Sequence, residues 1–321
     1  MRKNMYKSPL LFVCLITMGC LVSAQQNSST KKMLKQEYNL TPEHSKDTQY
    51  YEMISRLQPH SLDGTPQGWD VYHLILRCVP SKDPSKGDEY TCLKFSVAIN
   101  KKPEVAIPSL TNWKYYFSLT PNARDDRGYV FGIDHGKFEK LTDANGNMVP
   151  VGNTYHVYNA FIDFHSMILF SERSAGGKGV QDLKLIGDKV EHSAAFSEAP
   201  VNLGTQVAEG SYFKNGEVTL AFKGLSIEND KTCAILEYDS GESSFYMKMK
   251  PTPTSEIPTK GSSHYWGDIF KDISTGWIQK ATLHEMVVSE TTIPGMTNKV
   301  NMVVERSIEI RNVKRPEGNR Q

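Results

Sequence analysis

Residues 211–289 read SYFKNGEVTLAFKGLSIENDKTCAILEYDSGESSFYMKMKPTPTSEIPTKGSSHYWGDIFKDISTGWIQKATLHEMVVS. Apolar side chains recur at every second position: Val218, Leu220 and Phe222, then Cys233 and Ile235, then Phe245, Met247 and Met249. A proline-rich break is followed by Tyr265, Gly267, Ile269 and Lys271, a turn at Asp272–Gly276, and a long run from Trp277 to Ser289. A period of two sends successive side chains to opposite faces, so this stretch predicts a β-meander.

The same texture extends outward from it. Val300, Met302, Val304, Ile308 and Ile310 share one face of a C-terminal strand, with Asn301, Glu305, Glu309 and Arg311 on the other. Upstream, Trp69–Val79, Tyr90–Ile99, Trp113–Leu119, Tyr129–Ile133 and Val180–Val190 read as strands, and Asp143-Ala144-Asn145-Gly146-Asn147 is a turn signal. Residues 154–170 are so uniformly apolar and aromatic that period does not decide them; they read as a buried element, leaning to strand. Thr41 followed by Pro42, with Tyr50, Tyr51, Ile54 and Leu57 at helical spacing, predicts a short N-terminal helix. The expected fold class is mainly β, with antiparallel meander sheets forming two sheets or half-barrels. The expected units are a leader and helix over 25–62, β-rich halves over 63–205 and 206–313, and a charged tail over 314–321.

At the N-terminus, Arg2, Lys3 and Lys7 precede an apolar run from Leu10 to Val22, and Val22-Ser23-Ala24 before Gln25 forms a small-residue cleavage site. Residues 1–24 therefore read as a signal peptide, which predicts export to a periplasmic or extracellular compartment; a lipid-anchored form through Cys20 is the less favoured alternative. No other stretch is apolar enough to span a membrane once the leader is cleaved. Without the leader the chain carries 34 basic and 36 acidic residues. That balance argues against nucleic acid as a partner and gives no electrostatic reason to sit on anionic lipid. In an oxidising compartment, Cys78 and Cys92 on adjacent strands are expected to form a disulfide, leaving Cys233 as a buried thiol.

Two constellations carry candidate chemistry. His135, Asp163 and His165 form a polar cluster: on a strand, Asp163 and His165 would point the same way and could share a proton or ion, whereas on a helix they would diverge. His264, Tyr265, Trp266 and Trp277 flank the predicted turn and suggest an aromatic groove for an apolar or glycan ligand. Tyr265 and Trp266 must occupy opposite faces of their strand. Asp143, Asn145 and Asn147 alternate like a calcium loop, but the glycine is misplaced. The chain has no Gly-x-Ser-x-Gly elbow, no His-Glu-x-x-His, no Cys-x-x-Cys and no nucleotide fingerprint.

The favoured expectation is an exported, non-catalytic binding or envelope-associated protein holding an apolar or glycan ligand, with no cofactor or metal assigned. One alternative is a metal-assisted hydrolase built on the Asp/His cluster. Another is an interaction module that pairs with a second envelope protein through strand edges.

Overall fold

Alternation governs both halves of the structure. A computed structural model describes residues 32–82, 87–117, 129–174, 176–192, 203, 206–252 and 254–316. The expected signal peptide, the end of the expected Trp113–Leu119 strand and the end of the charged tail lie outside the described residues. Among the described residues, five strands precede one long helix: β1 (Gln49–His60), β2 (Asp70–Val79), β3 (Glu89–Ala98), β4 (Val105–Ala106) and β5 (Lys114–Tyr116), then α1 (Val151–Ser171). The strands that follow it are β6 (Lys189–Glu191), β7 (Gln206–Val207), β8 (Tyr212–Lys214), β9 (Thr219–Glu228), β10 (Lys231–Asp239), β11 (Ser243–Thr252), β12 (Ser255–Asp272), β13 (Ile278–Thr291) and β14 (Val300–Asn312).

These strands form one antiparallel sheet in the order β4-β3-β2-β1-β14-β13-β12-β10-β9-β6. β10 and β11 share one edge of the long β12, β10 against Trp266–Asp272 and β11 against its first half. β7 and β8 lie beyond β11, and β5 pairs with β3. Where two sheets were expected, hydrogen bonding runs through one. The link is the pairing of the first strand with the last, from Tyr51 opposite Asn312 to His60 opposite Val303.

The helix explains the shape of the sheet. Phe161 stacks on Phe95 of β3 at 5.6 Å, Phe164 meets Tyr51 of β1 at 5.2 Å, and Phe170 stacks on Tyr238 of β10 at 5.3 Å. Strands far apart in the sheet thus touch one helix, so the sheet curls around it. Tyr238 needs a glycine to do so. It lies opposite Gly267 and its hydroxyl donates across β12 to the Thr282 carbonyl at 2.7 Å, where a Cβ on Gly267 would sit 2.7 Å from that hydroxyl.

Three expectations are corrected here. Residues 49–60 are strand, not helix: Tyr51, Met53, Ser55 and Leu57 alternate into the core, and pairing with β2 on one side and β14 on the other outweighs the Thr41-Pro42 capping signal. Residues 154–170 are helix, not strand. Its core face is apolar and its other face mixes apolar with a few polar side chains, so the sequence carries little period to read. Cys78, Cys92 and Cys233 are free, buried thiols. β3 carries an extra residue, Leu93, so that Leu76 faces Cys92 while Cys78 faces Tyr90. The two cysteines are diagonal neighbours, about 7–8 Å apart, beyond the reach of a disulfide. In addition, Tyr129–Ile133 is a turn closed by a Val130–Ile133 bridge, and only Lys189–Glu191 of the run from Val180 to Val190 is strand. The Asp143 turn forms as expected, with its carboxylate accepting from the Asn145 and Asn147 amides.

Candidate binding chamber

One face of α1 packs into an aromatic core and the other does not. Phe161, Phe164 and His165 are buried against rings of the first strands and Val157 and Ile168 are buried with them, while Tyr155, Asn159, Ile162, Asp163, Ser166 and Leu169 recur at helical spacing and stay partly exposed. This second stripe lines a cavity of about 460 Å³ whose opposite wall is the concave face of β1, β14, β13, β12, β11 and β8. Leu283, Phe170, Met167 and Tyr158 close it at depth; Phe213, Phe245, Met247, Val287 and Val304 are partly exposed around its mouth. The walls are mostly apolar, and the volume lies in the range of ~300–1,000 Å³ typical of small-molecule sites.

A charged node interrupts this apolar lining. Tyr265, Glu285, Arg306 and Leu57 stand opposite one another on β12, β13, β14 and β1, a single row across the concave face. Arg306 Nε donates to Glu285 Oε2 at 2.6 Å, and Arg306 Nη1 donates to Asp163 Oδ2 from the helix. The three side chains are only 12–14% exposed. Burial pushes the Asp163 carboxyl up to about 6, with the Glu285 charge adding to the effect and Arg306 opposing it. The two carboxylates outweigh the cost of burying Arg306 and hold its guanidinium firmly protonated. His156, also on the lining, is pushed down to about 4 by burial and by the charge of Arg306.

The predicted polar cluster does not assemble. On α1, Asp163 faces the chamber while His165 points into the aromatic core, its Nε2 2.8 Å from the Tyr115 hydroxyl and its ring stacked on Phe117 at 4.4 Å. Burial holds the His165 imidazole well below its ordinary value, hence neutral. His135 lies in a short 3-10 turn beside Tyr129. Among the described residues, no three His, Cys, Asp or Glu side chains converge as a metal site.

The predicted aromatic groove divides in the same way. Tyr265 enters the chamber and its hydroxyl donates to Asn215 Oδ1 at 3.2 Å. Trp266 occupies the convex face, 39% exposed, stacked on His284 at 5.9 Å and near His264, which pairs with Asp239 at 3.0 Å. Trp277 is buried under residues 42–45: His44 lies 4.1 Å from its ring and its Nε1 donates to the Ser45 carbonyl. Tyr265 alone of the four lines the chamber.

Arg306 and Glu285 were missed in the sequence although parity marks them. Arg306 shares the even register of Val304, Ile308 and Ile310, and Glu285 the odd register of Ala281, Leu283 and Val287. A charge on the apolar face of an amphipathic strand is a buried charge, and buried charges are paired. No described helix is long and apolar enough to cross a membrane. Compared with known proteins, the chain matches no family model and no curated protein.

Proposed function

We propose that this is an exported, non-catalytic binding protein that carries a small apolar molecule between α1 and the concave face of its sheet, which serves as a half-barrel cradle. The observation that carries this reading is the chamber itself: apolar walls built from both halves of the chain, partly exposed at the mouth and closed at depth. A core of this size gains from being filled, since a void forfeits packing contacts. Of the two serine hydroxyls on the described walls, Ser166 donates to the Ile162 carbonyl and Ser263 has no partner, so neither is paired with a base, which favours carriage over turnover. Pairing through sheet edges has less support, because the path ends in β4 and β6, of two and three residues.

The test is binding of the fluorescent apolar probe N-phenylnaphthylamine to the purified mature chain. Met247, partly exposed in the chamber wall, is the position to fill. Met247→Trp is expected to weaken the probe by about tenfold or more, with the thermal midpoint unchanged. Equal affinity in a folded Met247→Trp protein would place the probe elsewhere and defeat the reading.

A further inference from the structure

Among the described residues, the chamber lining carries one guanidinium, Arg306, and two carboxylates, Asp163 and Glu285. Arg306 splits its guanidinium between Asp163, through Nη1, and Glu285, through Nε, so the fork that would clasp an incoming carboxylate is already divided between two residues of the chain. Among the described residues no lysine lines the chamber, and the imidazole of His156, which does, is neutral near pH 7. With both carboxylates ionised, the node has a surplus of one negative charge. Such a surplus inside apolar walls is costly, and a cation placed beside it gains more than it would in water.

A second, independent feature lies next to the node. Ser263 is 3% exposed, lines the chamber, and its Oγ has no hydrogen-bond partner. Buried hydroxyls are normally satisfied, so this hydroxyl, able to donate or accept, is open to a partner inside the chamber. Ser263 lies opposite Val287, one same-face step along the sheet from the Tyr265–Glu285 pair. On the deep side of that row Leu283 and Ile308 are closed off; on the other, Val287 and Val304 lead to the mouth.

We infer that the chamber takes an amphiphile with a cationic, amine-type head, seated at Glu285 and Ser263 beside the Arg306–Asp163 pair, with its apolar body along the walls toward the mouth. An ammonium group has three donors and no acceptor, which matches two carboxylates and an unpartnered hydroxyl. A carboxylate head would meet the surplus charge with repulsion. This inference rests on the binding-chamber reading above.

Displacement of N-phenylnaphthylamine from the mature chain at pH 8 by decylamine, decanol and decanoate separates the two. Decylamine is expected to displace the probe at about tenfold lower concentration than decanol, with decanoate weakest. Glu285→Gln, checked for folding by its circular dichroism, is expected to erase the advantage of decylamine; if that variant does not fold, Asp163→Asn provides the same removal of one negative charge. Equal displacement by all three heads, or preference for decanoate, would overturn the cationic head while leaving the chamber reading intact. Failure of the probe itself to bind would overturn both.

Discussion

Asp163 sits where burial and ion pairing pull in opposite directions. Its carboxyl is buried against Ile162, Ser166 and the apolar walls, faces Arg306 and Glu285 from the sheet, and lies in a chamber shared with Tyr265 and His156. Burial wins, and the group is pushed up to about 6 from its ordinary value near 3.8. Between these values the folded protein holds a proton that the unfolded chain has released. Stability from this group is therefore greatest at low pH and falls as pH rises to about 6, by roughly 3 kcal/mol for a shift of about two units. Glu104 has the opposite slope: hydrogen bonds from Lys94 and Ser96 hold it down at about 2, so its contribution is lost as pH falls. Comparing wild type with Asp163→Asn cancels such shared contributions. The stability of Asp163→Asn relative to wild type is expected to rise by about 2 kcal/mol between pH 4 and pH 7.5, read from urea midpoints. A difference independent of pH would mean that Asp163 is not held in the buried environment described.

At the scale of elements, α1 depends on a residue one hundred positions away. Lys271, 1% exposed at the end of β12, donates from Nζ to the Ser171 carbonyl at 2.5 Å and to Glu172 Oε1 at 3.1 Å, and Glu172 also meets His44 at 3.0 Å. A cation here satisfies an orphan carbonyl at the helix C-terminus and complements the helix dipole. Lys271→Met keeps the bulk but removes both interactions, leaving Glu172 buried with less compensation. Destabilisation of about 3–5 kcal/mol is expected in urea unfolding; a loss under about 1 kcal/mol would show that the contact does not hold the helix end. The sequence placed Lys271 correctly in an alternating strand yet said nothing of its partner, because parity reveals a face and not what the face meets. The long strands were legible for the same reason that α1 was not. β9, β10, β12, β13 and β14 each have a more buried side and a wetter side, so hydrophobicity alternates. α1 has core on one face and, on the other, a chamber stripe in which Asn159, Asp163 and Ser166 are interspersed with Tyr155, Ile162 and Leu169, so its polar period is weak.

For the whole molecule, the decisive contact is the least local. β14 lies between β13 and β1, with Ile308 opposite both Leu283 and Ser55, and the row that crosses it brings Leu57 beside Arg306 and Glu285. Nothing in composition or spacing announces that the first and last strands are neighbours, and without that fact the chamber cannot be assembled from the sequence. Asp163, Tyr265 and Glu285 come from different elements, and each looks ordinary in its own. The same pairing bears on how the protein unfolds. A boundary near 200–210 would predict two units that melt separately, but β1 to β5 share a sheet with β9 to β14 and their apolar faces meet in one continuous core around α1. Removing the β14 pairing would expose the inner edge of both halves and open the chamber, so neither half is expected to persist alone. Calorimetry of residues 25–321 is therefore expected to give one transition whose calorimetric and van't Hoff enthalpies agree, with near- and far-ultraviolet circular dichroism changing together. Two resolved transitions would show that the halves fold independently, and the chamber between α1 and the sheet would then be an interface between domains rather than part of a single core.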